Sequence, residues 1–142
     1  LHQAAGSKVV EELHGSVQRN YCRGCHTPYN LDFIMDPDNC KDGVPICPKC
    51  GCVIKPDVVL YGECLDEGIM YNAIKAISEC DMLIIGGTSL VVYPAAGFVN
   101  YFDRKKPGHK LVIINKSETA QDVFADIHYA EPIGKVLGEC VL

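Results

Sequence analysis

The distribution of apolar and polar positions divides the chain near Lys55. Before that point, apolar residues occur in short strand-like pieces separated by turn residues such as Asp36-Pro37-Asp38-Asn39 and Lys41-Asp42-Gly43. After it, apolar residues follow alternating helical and strand periodicities. The two parts therefore predict different architectures.

A helix is predicted at the start of the second part. Apolar residues recur at helical spacing between Asp66 and Cys80. Asp66 and Glu67 occupy the first turn, where the helix dipole favours acidic side chains. The helix is followed by the apolar run 82–85, which is typical of a buried parallel strand.

The remaining pattern continues the alternation of helices and strands. Pro94 is expected to begin a second helix with Phe98 and Val99 on its apolar face, and residues 110–114 form another buried strand. Residues 126–131 and 132–142 are predicted as a last strand and a closing helix. This order predicts an α/β fold with a parallel sheet and right-handed crossovers.

Length and charge exclude several classes of function. The 142 residues, 48% hydrophobic and 22% charged, suit one compact domain, or one domain carrying a small insert. A net charge of −5 argues against a nucleic-acid partner, and the basic run 104–106 is interpreted as a solvated helix end. No apolar run approaches the roughly 20 residues that cross a bilayer, so no membrane partner is expected. The pattern leaves the oligomeric state open.

Cysteine content points to a metal site in a reducing compartment. The number of cysteines, nine, is odd, and the sequence has no recognisable leader segment. Both observations favour a cytoplasmic chain over a disulfide-bonded secreted one. Two Cys-x-x-Cys pairs can each form a tight turn, and together they place four thiolates at the corners of a tetrahedron. This spacing predicts a structural Zn²⁺ site, more strongly than disulfides or a redox pair. The predicted ligands are Cys22, Cys25, Cys47 and Cys50.

The other cysteines are not assigned as zinc ligands, and the roles of Cys40 and Cys52 are left open. Cys40 and Cys52 do not have the two-residue gap and are expected to be free. Cys64, Cys80 and Cys140 are interpreted as small core residues. Four sulfurs complete the coordination, so His14 is not a zinc ligand and the zinc holds no catalytic water.

Polar residues follow both predicted buried strands. Gly86-Gly87-Thr88-Ser89 comes after the first strand, and Asn115 with Lys116-Ser117 comes after the second. Ligands in open α/β sheets bind beyond the carboxyl ends of the strands, so this edge is expected to bind a nucleotide. The usual phosphate loop, GxGxxG after a first strand, is absent from these residues.

Six motifs in this order, spread over the chain, also resemble a known family. They are LHQAAGS (1–7), ELHGS (12–16), the two Cys-x-x-Cys pairs taken together, KPDVVLYGE (55–63), GTSLVVYPAA (87–96) and IINKSET (113–119). The chain resembles the sirtuins, which are NAD-dependent protein-lysine deacylases and belong to the transferases.

The resemblance implies an architecture and a reaction. It implies a Rossmann-like NAD-binding domain formed by residues 1–17 and 57–142, with a zinc module at 18–56 and substrates in the cleft between them. The implied reaction removes an acyl group, expected to be acetyl, from the lysine of a protein or peptide. NAD is the cosubstrate, and the products are nicotinamide and 2′-O-acyl-ADP-ribose.

The resemblance also assigns roles to individual residues. His14 matches the catalytic histidine, which acts as a general base on a ribose hydroxyl; an imidazole suits that task near neutral pH. The NAD-contacting positions are Gly87, Thr88, Ser89, Asn115, Lys116 and Ser117. The substrate-contacting positions are Val59, Leu60, Tyr61, Gly62, Glu63 and Val92.

Two departures from the family pattern give rise to alternatives. Tyr61 stands where phenylalanine is common, which leaves the acyl preference open. Leu1 follows directly on the family's Gln-Asn-x-Asp segment, and the upstream Gly-Ala-Gly phosphate loop is missing. We therefore expect the C-terminal part of a sirtuin, inactive as these 142 residues alone. The alternatives are a non-catalytic, zinc-stapled peptide-binding module that uses an edge strand at Val58–Glu63, and a protein ADP-ribosyltransferase.

Overall fold

The computed structural model describes residues 1–140, and the chain divides into two compact units, Leu1–Ile69 and Met70–Leu142. Within the described residues, no helix is long and apolar enough to cross a membrane. The strands are β1 (Gly15–Cys22), β2 (Pro28–Tyr29), β3 (Cys40–Lys41), β4 (Val44–Pro45), β5 (Ile54–Val58), β6 (Met82–Gly86), β7 (Lys110–Ile114) and β8 (Ile127–Tyr129). The α-helices are α1 (Leu31–Met35), α2 (Glu67–Glu79) and α3 (Ile133–Cys140), and short 3₁₀ helices lie at Pro37–Asn39, Ala95–Tyr101 and Asp122–Phe124.

The first unit is built on an antiparallel sheet with the order β2-β1-β5. β1 pairs with β5 from Gly15 opposite Val58 to Cys22 opposite Ile54, with one irregularity between Ser16 and Asn20. β3 and β4 form a separate hairpin. The buried core consists of Cys22, Cys47 and Ile54, with Tyr29, Phe33 and Ile34 packed against it.

The second unit contains the parallel sheet β6-β7-β8. β7 is the central strand and is the most buried, because it is covered by neighbours on both sides. Its residues alternate between two cores. Leu111 and Ile113 pack with Val99 and Phe102, whereas Val112 and Ile114 pack with Val136 of α3.

The predicted α/β fold with a parallel sheet is confirmed. The helix expected between Asp66 and Cys80 is α2, and the Asp66 side chain caps it by accepting a hydrogen bond from the Ile69 amide at 2.9 Å. The runs 82–85 and 110–114 are β6 and β7. The last predicted strand and the closing helix are β8 and α3; residues 141–142 of that predicted helix lie outside the described residues.

The element after Pro94 differs from the expected helix. It is a 3₁₀ helix, with hydrogen bonds from the Gly97 amide to the Pro94 carbonyl and from the Phe102 amide to the Val99 carbonyl. Gly97 lies in its middle, and glycine disfavours the α-helix by about 1 kcal/mol relative to alanine. The expected apolar face is still buried, through Phe98 and Val99.

Two of the predicted core cysteines are not in the core. Cys80 packs against the β6–β7 core, but Cys64 and Cys140 are exposed. The prediction is wrong for both. Cys64 lies in the loop after β5, and Cys140 lies one turn beyond Val136, the buried residue through which α3 packs on β7.

Candidate functional site

The four cysteines of the two Cys-x-x-Cys pairs lie together in the first unit. Their sulfur atoms are all within 4.8 Å of one another, with Cys22 Sγ 3.3 Å from Cys50 Sγ and Cys25 Sγ 3.6 Å from Cys47 Sγ. A tetrahedral zinc with Zn–S bonds of about 2.3 Å places sulfurs about 3.8 Å apart. The donor set and its spacing therefore fit a structural zinc site with four thiolates.

Tight turns of the backbone bring these sulfurs together. In the first pair, the amides of Gly24 and Cys25 donate hydrogen bonds to Cys22 Sγ at 3.3 and 3.4 Å. In the second pair, the Gly51 amide donates to the Cys47 carbonyl at 2.8 Å, and Gly51 has a φ of +73°. Each turn is closed by hydrogen bonds within its own residues.

Tyr29 contributes a hydroxyl group to this cluster. Its oxygen lies 3.0 Å from Cys47 Sγ, and its ring packs against Phe33 with centroids 4.5 Å apart. Burial works to raise the pKa of the Cys47 thiol, but hydrogen bonds from the Tyr29 hydroxyl and nearby backbone amides outweigh burial and lower that pKa to about 6. No local sequence pattern predicts this role for Tyr29, because only the folded chain brings it to Cys47.

Replacing Tyr29 by phenylalanine is expected to weaken zinc binding about 10- to 100-fold, the usual effect of removing a hydrogen bond to a metal ligand. The ring and its contact with Phe33 remain, so the fold is kept. Zinc affinity is measured by competition with a chromophoric chelator. Tyr71→Phe, at an exposed position on α2, is the matched control. Equal affinities for the two variants would show that the hydroxyl has no role.

His14 lies in a turn directly before β1, with its side chain exposed. Its carbonyl accepts a hydrogen bond from the Val59 amide at 3.0 Å, and the following Gly15 amide donates to the Glu12 carbonyl at 2.8 Å. Gly15 has a φ of +75°. This turn fixes the backbone of His14 beside the end of β5 and leaves the imidazole free to meet a ligand.

Gly15→Ala is expected to destabilise the first unit and lower any activity that depends on His14. A Cβ on Gly15 would be 1.8 Å from the Asp57 carbonyl oxygen, and the positive φ adds about 1–3 kcal/mol of backbone strain. Gly43→Ala is the matched control, because Gly43 has a similar φ of +77° but no heavy atom within 4 Å of its built Cβ. Chemical denaturation of both variants measures the difference. A Gly15→Ala protein no less stable than Gly43→Ala would contradict the close approach of β1 and β5.

Arg19 connects the segment before His14 to β5. Its guanidinium donates to Glu12 Oε2 at 2.6 Å and to Asp57 Oδ2 at 2.9 Å, and Gln3 donates to the other Glu12 oxygen at 3.2 Å. The hydrogen bond from Arg19 holds the pKa of the Glu12 carboxyl below its usual range. No local sequence pattern predicts the contacts among Glu12, Arg19 and Asp57, because these contacts depend on the register of β1 and β5.

The predicted substrate segment 59–63 is a loop rather than a strand. β5 ends at Val58, and a turn at Tyr61-Gly62 is closed by a hydrogen bond from the Glu63 amide to the Leu60 carbonyl at 3.0 Å. The edge strand expected at Val58–Glu63 is therefore wrong beyond Val58. The reason is the turn, in which Gly62 has a φ of +84°.

Glu63 determines the shape of this loop. Its carboxylate accepts hydrogen bonds from the Leu60 amide and from Lys55 Nζ, both at 3.0 Å. The Leu60 amide and then Lys55 hold the pKa of Glu63 below its usual value. Leu60 and Tyr61 are exposed, and Val59 and Glu63 line a cavity of about 540 Å³ alongside β5. The loop thus presents apolar side chains from a fixed backbone.

In the second unit, the carboxyl ends of β6 and β7 meet as the sequence predicts. The Gly87 amide donates to the Ile114 carbonyl at 3.1 Å, which places Gly87 next to Asn115. Gly87 has a φ of +63°, and a Cβ there would meet nothing closer than Ile133 at 3.8 Å. Asn115 is 8% exposed, and its side-chain amide donates to the Ser117 carbonyl at 2.8 Å.

The polar groups at this edge fit a nucleotide. Ser89 and Lys116 are exposed, and the Thr88 hydroxyl accepts a hydrogen bond from the Leu90 amide at 3.2 Å. Hydroxyls and the Asn115 carbonyl oxygen are suitable partners for ribose hydroxyls, and the space beside Gly87 permits close approach of a ligand. Val92, predicted to contact substrate, is exposed in the same unit.

Comparison with known proteins gives the family. The Sir2 family model matches residues 1–94. The NAD-dependent protein deacetylase of Clostridium perfringens is 58% identical over 141 residues, which are 99% of this chain and 55% of that protein. The corresponding protein of Clostridium acetobutylicum is 55% identical over 137 residues, covering 96% of this chain and 53% of that protein. The chain spans about half the length of the curated relatives it matches.

Solved structures agree with this result. A Sir2 protein with a p53 peptide and NAD⁺ has a TM-score of 0.88 and 37% identity, covering 98% of this chain and 57% of that one. Another Sir2 structure, bound to a propionylated peptide, has a TM-score of 0.86 and 38% identity, with coverages of 98% and 57%. From the family match and these likenesses we conclude that the chain belongs to the Sir2 family.

Proposed function

We propose that this chain supplies the catalytic histidine, the zinc module, the peptide-binding loop and part of the NAD site of a protein-lysine deacylase. The reaction transfers an acyl group, expected to be acetyl, from lysine to the ADP-ribose part of NAD. One water molecule is consumed, and the products are free lysine, nicotinamide and 2′-O-acyl-ADP-ribose. The observation that carries the proposal is the 58% identity to a protein deacetylase along nearly the whole chain.

NAD, when bound, supplies the ribose that accepts the acyl group and the nicotinamide that leaves. The role proposed for His14 is to take a proton from a ribose hydroxyl through a ring nitrogen. Its exposed imidazole on a backbone fixed by Gly15 and Val59 supports this role, because a general base must be free to reach the proton it removes. No zinc is needed for the proton transfer.

The proposed NAD contacts lie at the edge of the parallel sheet. Gly87, Thr88 and Ser89 follow β6, and Asn115 with Lys116 and Ser117 follows β7. Their hydroxyl, amide and ammonium groups would hold the riboses. The neighbouring strand ends and the space beside Gly87 support this assignment. The solved relative with a bound p53 peptide and NAD⁺ supports it further.

The loop 59–63 is proposed to bind the acylated peptide. Its backbone would pair with the extended substrate, and Val59, Leu60 and Tyr61 would surround the apolar part of the lysine. Val92 is the corresponding substrate residue proposed in the second unit. The exposure of Leu60 and Tyr61 supports the assignment, because free apolar side chains at a loop commonly mark a binding surface.

The zinc is proposed to be structural and to staple residues 18–56 as a module between the Rossmann-like segments 1–17 and 57–142. Four thiolates leave no coordination position for substrate or water. The same thiolates must stay reduced to bind the metal, which favours the cytoplasm as the location of the protein.

The proposal is tested with the full-length protein that carries this sequence, purified with its zinc. It is incubated with an acetyl-lysine peptide with and without NAD, and the products are identified by mass spectrometry. Loss of the acetyl group only when NAD is present, together with acyl-ADP-ribose, is expected. Equal deacetylation without NAD would refute a sirtuin mechanism. Addition of ADP-ribose to the peptide would identify a protein ADP-ribosyltransferase. Binding of the peptide without either reaction would identify a non-catalytic peptide-binding module.

A further inference from the structure

Cys52 lies beside the four-thiol cluster but is not one of its four members. The chain reverses at Gly51, between Cys50 and Cys52, with Gly51 in the left-handed region. The Cys47 amide then donates a hydrogen bond to the Cys52 carbonyl at 2.8 Å. This hydrogen bond holds the backbone of Cys52 against the second Cys-x-x-Cys turn.

The side chain of Cys52 points to the first Cys-x-x-Cys turn. A Cβ built on Gly24 would lie 2.6 Å from Cys52 Sγ and 3.4 Å from Cys50 Sγ. The Sγ atoms of Cys52 and Cys50 are therefore at most 6.0 Å apart, because each lies this close to the same point. The missing side chain of Gly24 provides the space in which the sulfur of Cys52 sits next to that of Cys50.

The cluster has a buried side and an exposed side. Cys22 and Cys47 are buried, whereas Cys25 and Cys50 are exposed and can be reached by chelators. Cys50 has the additional thiol of Cys52 next to it. Cys25 has the Thr27 hydroxyl beside it instead, at 3.2 Å. The two exposed ligands therefore differ in what could replace them.

We propose that Cys52 is a reserve zinc ligand that takes the place of Cys50 when the Cys50–zinc bond breaks. Rotation of a cysteine side chain between staggered positions moves its sulfur by about 3 Å, so the exchange needs no large change of the backbone. Cys52 loses its proton on binding the ion and the departing Cys50 thiolate takes one up, so the total charge is unchanged. The inference rests on the proposed zinc site and not on the proposed deacylase activity.

The first test removes the reserve thiol and keeps all four principal ligands. The zinc-loaded full-length protein and its Cys52→Ser variant are mixed with an excess of a chromophoric chelator, and the rate of zinc release is recorded. A reserve ligand recaptures the ion before the chelator does, so Cys52→Ser is expected to release zinc about 3- to 10-fold faster. Equal rates would overturn the proposal, and Cys40→Ser provides the control for loss of a thiol elsewhere.

The second test removes one principal ligand at a time. Cys50→Ser is expected to bind one zinc per chain, and its Co²⁺-substituted form to have the charge-transfer absorption of four thiolates. Cys25→Ser and the double variant Cys50→Ser/Cys52→Ser are expected to have the absorption of three thiolates and lower zinc content. A three-thiolate spectrum for Cys50→Ser would overturn the proposal.

The outcomes of these tests distinguish failure of the zinc site from failure of the reserve-ligand role of Cys52. A wild-type protein that contains no zinc would refute the zinc site itself, and with it the role of Cys52. Zinc in the wild type, with identical release from wild type and Cys52→Ser, would refute only the reserve ligand. In that case Cys52 fills the space over Gly24 and does nothing more. The chelator test remains valid if Cys50→Ser fails to fold, because Cys52→Ser keeps the complete donor set.

Discussion

Replacement of His14 by alanine is expected to lower kcat/KM for NAD-dependent deacylation by about 10²- to 10⁴-fold, the range lost when a general base is removed. The imidazole is exposed and makes no side-chain hydrogen bond within residues 1–140, so the variant is expected to fold normally. The backbone hydrogen bond from Val59 to the His14 carbonyl is independent of the side chain and remains. Initial rates with an acetyl-lysine peptide measure the effect.

The control for this substitution is His2→Ala, which removes another exposed histidine. The zinc content and the affinity for the acetylated peptide are expected to be unchanged in both variants. Turnover of His14→Ala at the wild-type rate would exclude the histidine as the base. Loss of peptide binding along with turnover would instead assign His14 to the binding of substrate.

Loss of zinc is expected to unfold the first unit, Leu1–Ile69, except for the local turns of the two Cys-x-x-Cys pairs. Structural zinc in zinc-finger peptides contributes an apparent 10–16 kcal/mol, comparable with the total stability of a typical domain of about 5–15 kcal/mol. Cys22 and Cys47 are at most 1% exposed and form most of the buried core of this unit with Ile54. Without the ion, the four cysteines are joined only by weak contacts between thiols, so this core lacks the stabilisation that the Zn–S bonds provide.

Cys22→Ser is the sharpest form of this prediction. We expect the variant to contain less than one-tenth of the wild-type zinc, and the amides of β1 and β5 to exchange hydrogen at rates close to those of an unfolded chain. Cys40→Ser is the matched control, because Cys40 donates to the Ile34 and Asp36 carbonyls outside the cluster. Slow exchange in β1 of a zinc-free Cys22→Ser protein would contradict the metal's role in folding.

The features of the fold that could be predicted are those whose geometry depends on residues close together in the sequence. The two-residue gaps in Cys22–Cys25 and Cys47–Cys50 predict turns that bring thiols together, because the turn geometry is set within four residues. The apolar runs of β6 and β7 predict buried parallel strands for the same reason. Since adjacent parallel strands end at one edge of the sheet, the position of Asn115 after β7 predicts that it lies near Gly87, which follows β6.

Contacts between distant segments could not be predicted in this way. The bridge from Arg19 to Asp57 depends on the register of β1 against β5, which includes an irregularity that no local pattern encodes. The edge strand expected at Val58–Glu63 comes from the family resemblance and not from a local pattern, and in the structure Gly62 and the Glu63 carboxylate close a turn there. The exposure of Cys64 follows from that same turn.

The pairing of β1 with β5 places the four-thiol cluster and His14 at opposite ends of β1. β1 has eight residues, about 25 Å of extended chain, and runs from Gly15, next to His14, to Cys22. One hydrogen-bonded frame thus joins the four thiols to the backbone of the proposed base. Disorder that begins at the cysteine end is therefore expected to reach His14 through the shared backbone pairing.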